Sequence, residues 1–170
     1  MIGNLNAVKY EEVFPLIKGN SLWLGVNNGD MAFRVPPDSE PRATRYWQDK
    51  TGQKWRSLGN SCWFTNLEYD ARHKPIPLTA RYTPEAYPRY DNYDAIEVSR
   101  TKDIPCDYYG VMGVPISFLD KWCAEQFEIV GVTYKYGRPD SFPKGCRMEP
   151  RIGGKCAYKR ILIRRRNETF

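Results

Sequence analysis

Arg45-Tyr46-Trp47-Gln48-Asp49-Lys50-Thr51-Gly52-Gln53-Lys54-Trp55-Arg56-Ser57-Leu58 is the stretch on which the fold class turns. Two short runs rich in aromatic side chains flank Lys50-Thr51-Gly52-Gln53, a Gly-containing turn of the length that closes an antiparallel hairpin. Gly59-Asn60 breaks the chain, and residues 61–67, around Cys62-Trp63-Phe64-Thr65, read as a strong strand. Toward the N-terminus, residues 31–35 form a possible strand after the turn signal Asn27-Asn28-Gly29-Asp30, and 36–41 is a loop. Residues 21–26 read as a short buried strand around Leu22-Trp23-Leu24. Residues 8–18 place Val8, Val13, Leu16 and Ile17 on roughly one helical face, with Pro15 weakening the second half and Gly19-Asn20 ending it.

Toward the C-terminus, residues 70–92 are a long loop rich in Pro and Tyr, and 94–98 a short strand. Residues 104–115 contain two glycines and two prolines, so they are expected to wrap rather than pair. Residues 115–123 fit a short helix with Phe118, Leu119 and Trp122 inward, and 127–132 is a strand. Residues 133–156 are rich in Gly, Pro and Lys and are expected to be mobile. Residues 159–165 form a terminal strand within a basic tail, 157–170, with Ile161 and Ile163 on one side. One helix and many strands argue for an α/β or α+β class. The 170 residues form one expected domain, long enough to bury roughly 70% of the unfolded surface. No apolar run approaches a membrane span, and no basic n-region with a long apolar segment marks a signal peptide, so a cytoplasmic location is expected.

The net charge of +6 is unevenly placed. Residues 1–150 hold nineteen basic and nineteen acidic residues, whereas residues 151–170 hold seven basic residues and one acid, Glu168. Such a tail either attracts polyanions through phosphate contacts or guards a solvated edge strand with charge. Aromatics are abundant, with twelve Tyr and five Trp, and they are interleaved with arginine at Arg45-Tyr46-Trp47, Trp55-Arg56, Arg81-Tyr82 and Arg89-Tyr90. That pattern suits base stacking with phosphate contact, but taken alone it favours a β-rich core with polar tips. The five cysteines are widely spaced without a CxxC pair, and His73 is the lone histidine. A metal site and a disulfide framework are therefore not expected, and the thiols are read as free and buried or part-buried. His73 is read as a plain surface residue. Asp91 and Asp94 are read as turn-capping residues.

Several runs together resemble the EcoRI-like family of adenine-specific DNA methyltransferases. They are Val13-Phe14-Pro15-Leu16-Ile17-Lys18, Leu22-Trp23-Leu24-Gly25, Arg42-Ala43-Thr44-Arg45-Tyr46-Trp47 and Lys54-Trp55-Arg56-Ser57-Leu58-Gly59-Asn60. They continue through Cys62-Trp63-Phe64-Thr65-Asn66-Leu67, Tyr90-Asp91-Asn92-Tyr93-Asp94-Ala95-Ile96, Gly110-Val111-Met112-Gly113-Val114-Pro115 with Phe118-Leu119-Asp120-Lys121, and Tyr158-Lys159-Arg160-Ile161-Leu162-Ile163. The resemblance is to the family's C-terminal part only. It implies the C-terminal portion of a Rossmann-like methyltransferase sheet with added β-hairpins and long loops. Met1-Ile2-Gly3-Asn4 is then expected to begin inside a strand.

The family's Gly-rich loop for S-adenosylmethionine and its Asp/Asn-Pro-Pro-aromatic tetrad, whose ring stacks on the flipped adenine, have no counterpart here. The one Pro-Pro pair is Val35-Pro36-Pro37-Asp38, with Val where the acceptor and Asp where the ring belong. No catalytic residue and no cofactor are therefore expected in this chain alone. Missing central strands imply an unpaired edge, and hence a partner chain carrying the N-terminal half, self-association, or a smaller remodelled fold. By the resemblance, Tyr46, Trp47, Trp55, Trp63 and Phe64 are base-stacking candidates, although core packing is the favoured reading of Trp63 and Phe64. Arg45, Arg56, Lys159, Arg160, Arg164, Arg165 and Arg166 are candidates for the phosphates of double-stranded DNA. The expected function is target recognition for an adenine-N6-specific DNA methyltransferase, inactive alone. The alternatives are a stand-alone, non-catalytic nucleic-acid or nucleoprotein binding module derived from such an enzyme, and a fragment of a longer reading frame.

Overall fold

The computed structural model describes residues 2–26, 31–59, 61–133 and 149–166. In chain order its strands are β1 (Ile2–Asn4), β2 (Trp23–Leu24), β3 (Ala32–Arg34), β4 (Tyr46–Gln48), β5 (Lys54–Ser57) and β6 (Ser61–Thr65). They continue with β7 (Ile96–Glu97), β8 (Met112–Val114), β9 (Phe127–Val132), β10 (Arg151–Ile152), β11 (Lys155–Cys156) and β12 (Ile161–Arg165). One α-helix, α1 (Phe14–Lys18), lies among the described residues, with short 3-10 turns at Leu5–Lys9, Asp70–His73, Thr101–Asp103 and Ile116–Lys121.

The core forms around the four-stranded sheet β7-β8-β12-β9. Its β7–β8 pair is parallel and the others antiparallel. Ile161-Leu162-Ile163 is apolar on every residue because β12 is covered on both faces. Ile161 and Ile163 pack with Met112, Val114, Phe118 and Phe127 in the main cluster. Leu162 points the other way, against Tyr90, Tyr93 and Ala95. A bulge against β9 between Leu162 and Ile163 adjusts the register. Phe118, Leu119 and Trp122 are buried from the expected short helix, which is a 3-10 turn. A second sheet, β1-β6-β2, uses strand alternation: Cys62 and Phe64 enter the core while Trp63 points out.

Three expectations are corrected. First, β8 lies inside residues 104–115 and pairs on both sides, with β7 and β12. Its Gly113 marks a close approach rather than a break: a Cβ there would lie 2.4 Å from the Tyr90 hydroxyl. Second, residues 8–18 do not form one helix. Pro15 sits in the first turn of α1, where a missing N–H goes unnoticed, so it opens the helix instead of weakening it. Third, β12 is an interior strand, so the tail is not a charge-guarded edge.

Of the stretch expected to be mobile, 133–156, the structure describes residues 133 and 149–156. Thr133 is buried, its hydroxyl accepting from Arg160 N at 2.8 Å. β10 and β11 form a hairpin whose turn, Gly153 (φ 56°) and Gly154 (φ 76°), donates both its N–H groups to Asp91. Residues 134–148, including Cys146, and 167–170 lie outside the described residues. Of the other thiols, Cys62 and Cys123 are buried and Cys106 part-buried, but Cys156 is exposed. No helix among the described residues is long and apolar enough to cross a membrane.

Candidate nucleic-acid interface

The hairpin of residues 45–58 gains a third strand, giving the sheet β3-β5-β4. No residue between 31 and 59 belongs to either core cluster. Most of the sheet's side chains are exposed or half-exposed, so packing does not explain its composition. This segment carries six basic and three acidic residues.

Register sorts the side chains onto two faces, because directly opposed residues share a face. Trp47 lies opposite Trp55, and Trp55 opposite Arg34. Tyr46 lies opposite Arg56, and Arg56 opposite Phe33. The loop of residues 36–41 folds onto the second face. Lys54 Nζ donates there to the carbonyls of Pro37 and Ser39, and the Tyr46 hydroxyl reaches Ser39 O at 3.5 Å.

On the first face, the Trp55 indole N–H donates to Asp49 Oδ2 at 2.8 Å, and the Arg34 guanidinium sits 5.5 Å from the Trp55 ring centre. Asp49 also accepts from the Thr51 hydroxyl at 2.6 Å and from the backbone of Thr51 and Gln53. Its carboxyl is lowered to about 2, chiefly by the Thr51 hydroxyl and then by the Trp55 N–H. The tight turn at Gly52 (φ 84°) is thereby tied to the aromatic row.

The expected site residues do not form one surface. Tyr46, Trp47, Trp55, Arg45 and Arg56 share the three-stranded sheet. Arg45 occupies the left-handed region (φ 57°), and its guanidinium lies where a Cβ on Gly59 would be. Trp63 is 42% exposed on β6, opposite Ile2. Phe64, the next residue, is 1% exposed inside the core, so it offers no ring to a base.

The tail arginines are largely engaged within the chain. Arg160 is 9% exposed and holds Glu97 through Nε (3.0 Å to Oε1) and Nη2, while Tyr90 donates its hydroxyl to the same carboxylate. It is a buried cation paired within the chain. Burial and the neighbouring Glu97 carboxylate push the Tyr90 hydroxyl strongly up, so it stays protonated. Arg164 pairs with Glu128. Arg165 donates to Cys106 O and lies 5.3 Å from the Tyr109 ring centre. Arg166 Nε donates to Ala124 O at 2.8 Å. Lys159, Arg164 and Arg166 remain exposed.

Sequence reasoning missed Arg34 and Phe33, although Phe33-Arg34 repeats the aromatic–arginine pairing already noted elsewhere. It also missed a clamp. His73 places Nδ1 2.8 Å from Glu125 Oε1 and Nε2 3.0 Å from Glu68 Oε2, joining segments about fifty residues apart. Hydrogen bonds first to Glu125 and then to Glu68 raise the imidazole above its ordinary value. Glu125 is lowered to about 2 by the Cys123 thiol and by His73. No group of metal-ligand type occurs among the described residues.

The family model described as "Adenine-specific methyltransferase EcoRI" matches residues 1–166. The chain is 47% identical over 169 residues to the type II methyltransferase M.EcoRI of Escherichia coli, covering 96% of this chain and 49% of that protein. It is 32% identical over 183 residues to the type II methyltransferase M.MpnI of Mycoplasma pneumoniae, covering 100% of this chain and 57% of that one. It is also 32% identical over 178 residues to the type II methyltransferase M.MgeORF184P of Mycoplasma genitalium, covering 97% and 56%. The chain thus spans about half the length of the curated relatives it matches. No solved structure matches.

Proposed function

The chain belongs to the EcoRI family of adenine-specific methyltransferases, and on that premise we propose that it is the nucleic-acid-binding, target-recognition part of an adenine-N6-specific DNA methyltransferase. The observation that carries this reading is the β3-β5-β4 sheet. It sets Trp47, Trp55, Arg34 and Arg56 outside the core with a surplus of positive charge, which is what a duplex-contacting ribbon needs.

On this reading S-adenosylmethionine and the Asp/Asn-Pro-Pro-aromatic tetrad belong to the other half of the relatives' length. Transfer needs donor and adenine nitrogen held in a near-attack pose, and this chain's sequence offers neither a Gly-rich donor loop nor the tetrad. The Pro36-Pro37 pair instead lies in the loop that covers one face of the ribbon. The chain supplies the late part of a Rossmann-like sheet. Trp63 and Ile2, on the outer face of β1-β6-β2, supply the ground against which a donor-carrying chain packs.

The test is methyl transfer from S-adenosylmethionine to duplex DNA. It is run with this chain alone and with the portion of the Escherichia coli relative that lies outside the match. The expected result is no transfer and no calorimetric S-adenosylmethionine isotherm for the chain alone, with transfer in the mixture. Transfer by the chain alone, or a micromolar isotherm, would overturn the division of labour. Duplex binding without transfer in either arm would favour a stand-alone binding module.

A further inference from the structure

Three of the short 3-10 turns each bring one lysine to a common cavity of about 320 Å³. Lys74 follows the turn Asp70–His73, Lys102 lies within Thr101–Asp103, and Lys121 closes Ile116–Lys121. Carbonyl groups at the end of each turn favour a cation there, which accounts for each lysine singly. They do not account for the convergence, because like charges drawn together from three separate segments repel one another. Among the described residues, no carboxylate forms an ion pair with any of these ammonium groups. Asp120 is the one acid in the lining, which leaves a surplus of two positive charges when it is ionised.

From this cluster we infer that the cavity is a binding site for a small organic phosphomonoester, separate from the ribbon and from any methyl donor. No residue of the ribbon lines it. The charge count selects the ligand class. A phosphomonoester carries close to two negative charges at neutral pH and so matches the surplus, whereas each phosphodiester of a nucleic-acid backbone carries one. A duplex also presents its phosphates on a convex rod, and these lysines surround a concavity. S-adenosylmethionine has no phosphate to offer them.

The remainder of the lining fits the organic part. Pro75 and Ile76 give the cavity an apolar wall suited to a carbon body carrying the phosphate. That wall is held in place before any ligand arrives. The Ile76 N–H donates to Gln126 Oε1 at 2.7 Å, and Gln126 Nε2 donates back to the Ile76 carbonyl at 2.9 Å. His73, next to Lys74, is tied to Glu125 at 2.8 Å. Binding therefore does not have to order the wall. The surrounding protein strips water from the Asp120 carboxyl and pushes it above its ordinary value, although Lys121 opposes the shift. Charges at such a place interact more strongly than charges in open water.

The test is calorimetric titration of the 170-residue chain at low salt with phenyl phosphate, inorganic phosphate and dimethyl phosphate. Phenyl phosphate is expected to bind with a Kd below about 1 mM. Inorganic phosphate, which leaves the apolar wall unused, should bind about threefold to tenfold more weakly. Dimethyl phosphate, with a single charge, should bind at least about tenfold more weakly. Lys102→Ala should weaken phenyl phosphate about tenfold, and Asp120→Asn should tighten it about threefold by removing a like charge. Lys155→Ala, outside the cavity, should change it by less than about twofold. The lysine variants should unfold thermally like the parent, because all these side chains are exposed. No binding of phenyl phosphate at about 10 mM would overturn the site. So would equal weakening by Lys102→Ala and Lys155→Ala, equal affinity for dimethyl phosphate, or weaker binding in Asp120→Asn. A 5′-phosphorylated oligonucleotide that displaces phenyl phosphate, where its unphosphorylated form does not, would give the cavity to a strand end and contradict the small-molecule assignment. Each of these results leaves the reading of the ribbon standing.

Discussion

The four-stranded sheet and the three-stranded ribbon are built from the same residue types and use them oppositely. In the body, Arg160 is buried on Glu97, Arg164 is paired with Glu128, and Tyr90 and Tyr93 pack beneath Leu162. In the ribbon, arginine and tryptophan are exposed or half-buried and lie outside both core clusters. Charge counted along a sequence is therefore not charge presented at a surface. The tail looks like the basic feature of this chain, but its arginines are the more fully engaged.

The largest expected break in this comparison lies in the body. Glu97→Ala strands the buried Arg160 guanidinium and should cost about 3–5 kcal/mol in urea unfolding. The paired replacement Glu97→Leu with Arg160→Met should recover much of that loss, because it leaves no uncompensated charge. A loss below about 1 kcal/mol for the single variant would show that the pair is not buried as described.

Neighbouring residues on β6 sharpen the contrast. Phe64→Ala should cost about 3–5 kcal/mol of stability, whereas Trp63→Ala should cost under about 1 kcal/mol. Equal losses would mean that Trp63 is covered in the isolated chain.

Within the ribbon, Gly59→Ala should have an intermediate effect of about 1–3 kcal/mol. A methyl there meets the Arg45 guanidinium, and Gly59 itself has φ 67°. A neutral result in thermal unfolding would free Arg45 from its assigned packing.

The smallest expected effect concerns pH. His73 is raised in the folded state, so its contribution is complete below its unfolded value of 6.5 and is lost as pH climbs through the higher folded value. Glu125 is lowered to about 2, so its contribution is complete above its unfolded value of 4.5 and is lost as pH falls toward 2. Between about pH 4.5 and 6.5 both contributions are intact. His73→Asn should flatten the alkaline limb of the stability–pH profile. An unchanged limb would show that the clamp contributes nothing.

The sequence made the strands of the hairpin legible because alternation, aromatic content and a Gly turn all agreed at residues 45–58. It also made Ile161 and Ile163 legible as one face of β12. It misled at Gly113 and Pro15, where breaker residues serve the element that contains them: one admits Tyr90, the other opens α1. It misled again at Arg160, because a cation destined for burial looks the same in sequence as one destined for phosphate until Glu97, sixty-three residues away, is placed beside it. The faces of the ribbon were beyond reach for the same reason. Which side the 36–41 loop covers depends on hydrogen bonds from Lys54 and Tyr46 that no local pattern encodes.

The difference between ribbon and tail is tested most directly by the salt dependence of duplex binding. A ribbon variant, Arg34→Ala with Arg56→Ala, is set against a tail variant, Arg164→Ala with Arg166→Ala. The ribbon variant should lower the slope of log K against log salt by about one for each phosphate contact removed, and the tail variant should leave it near the parent value. A slope reduced by the tail variant and untouched by the ribbon variant would place the nucleic acid on the strand held here to be structural.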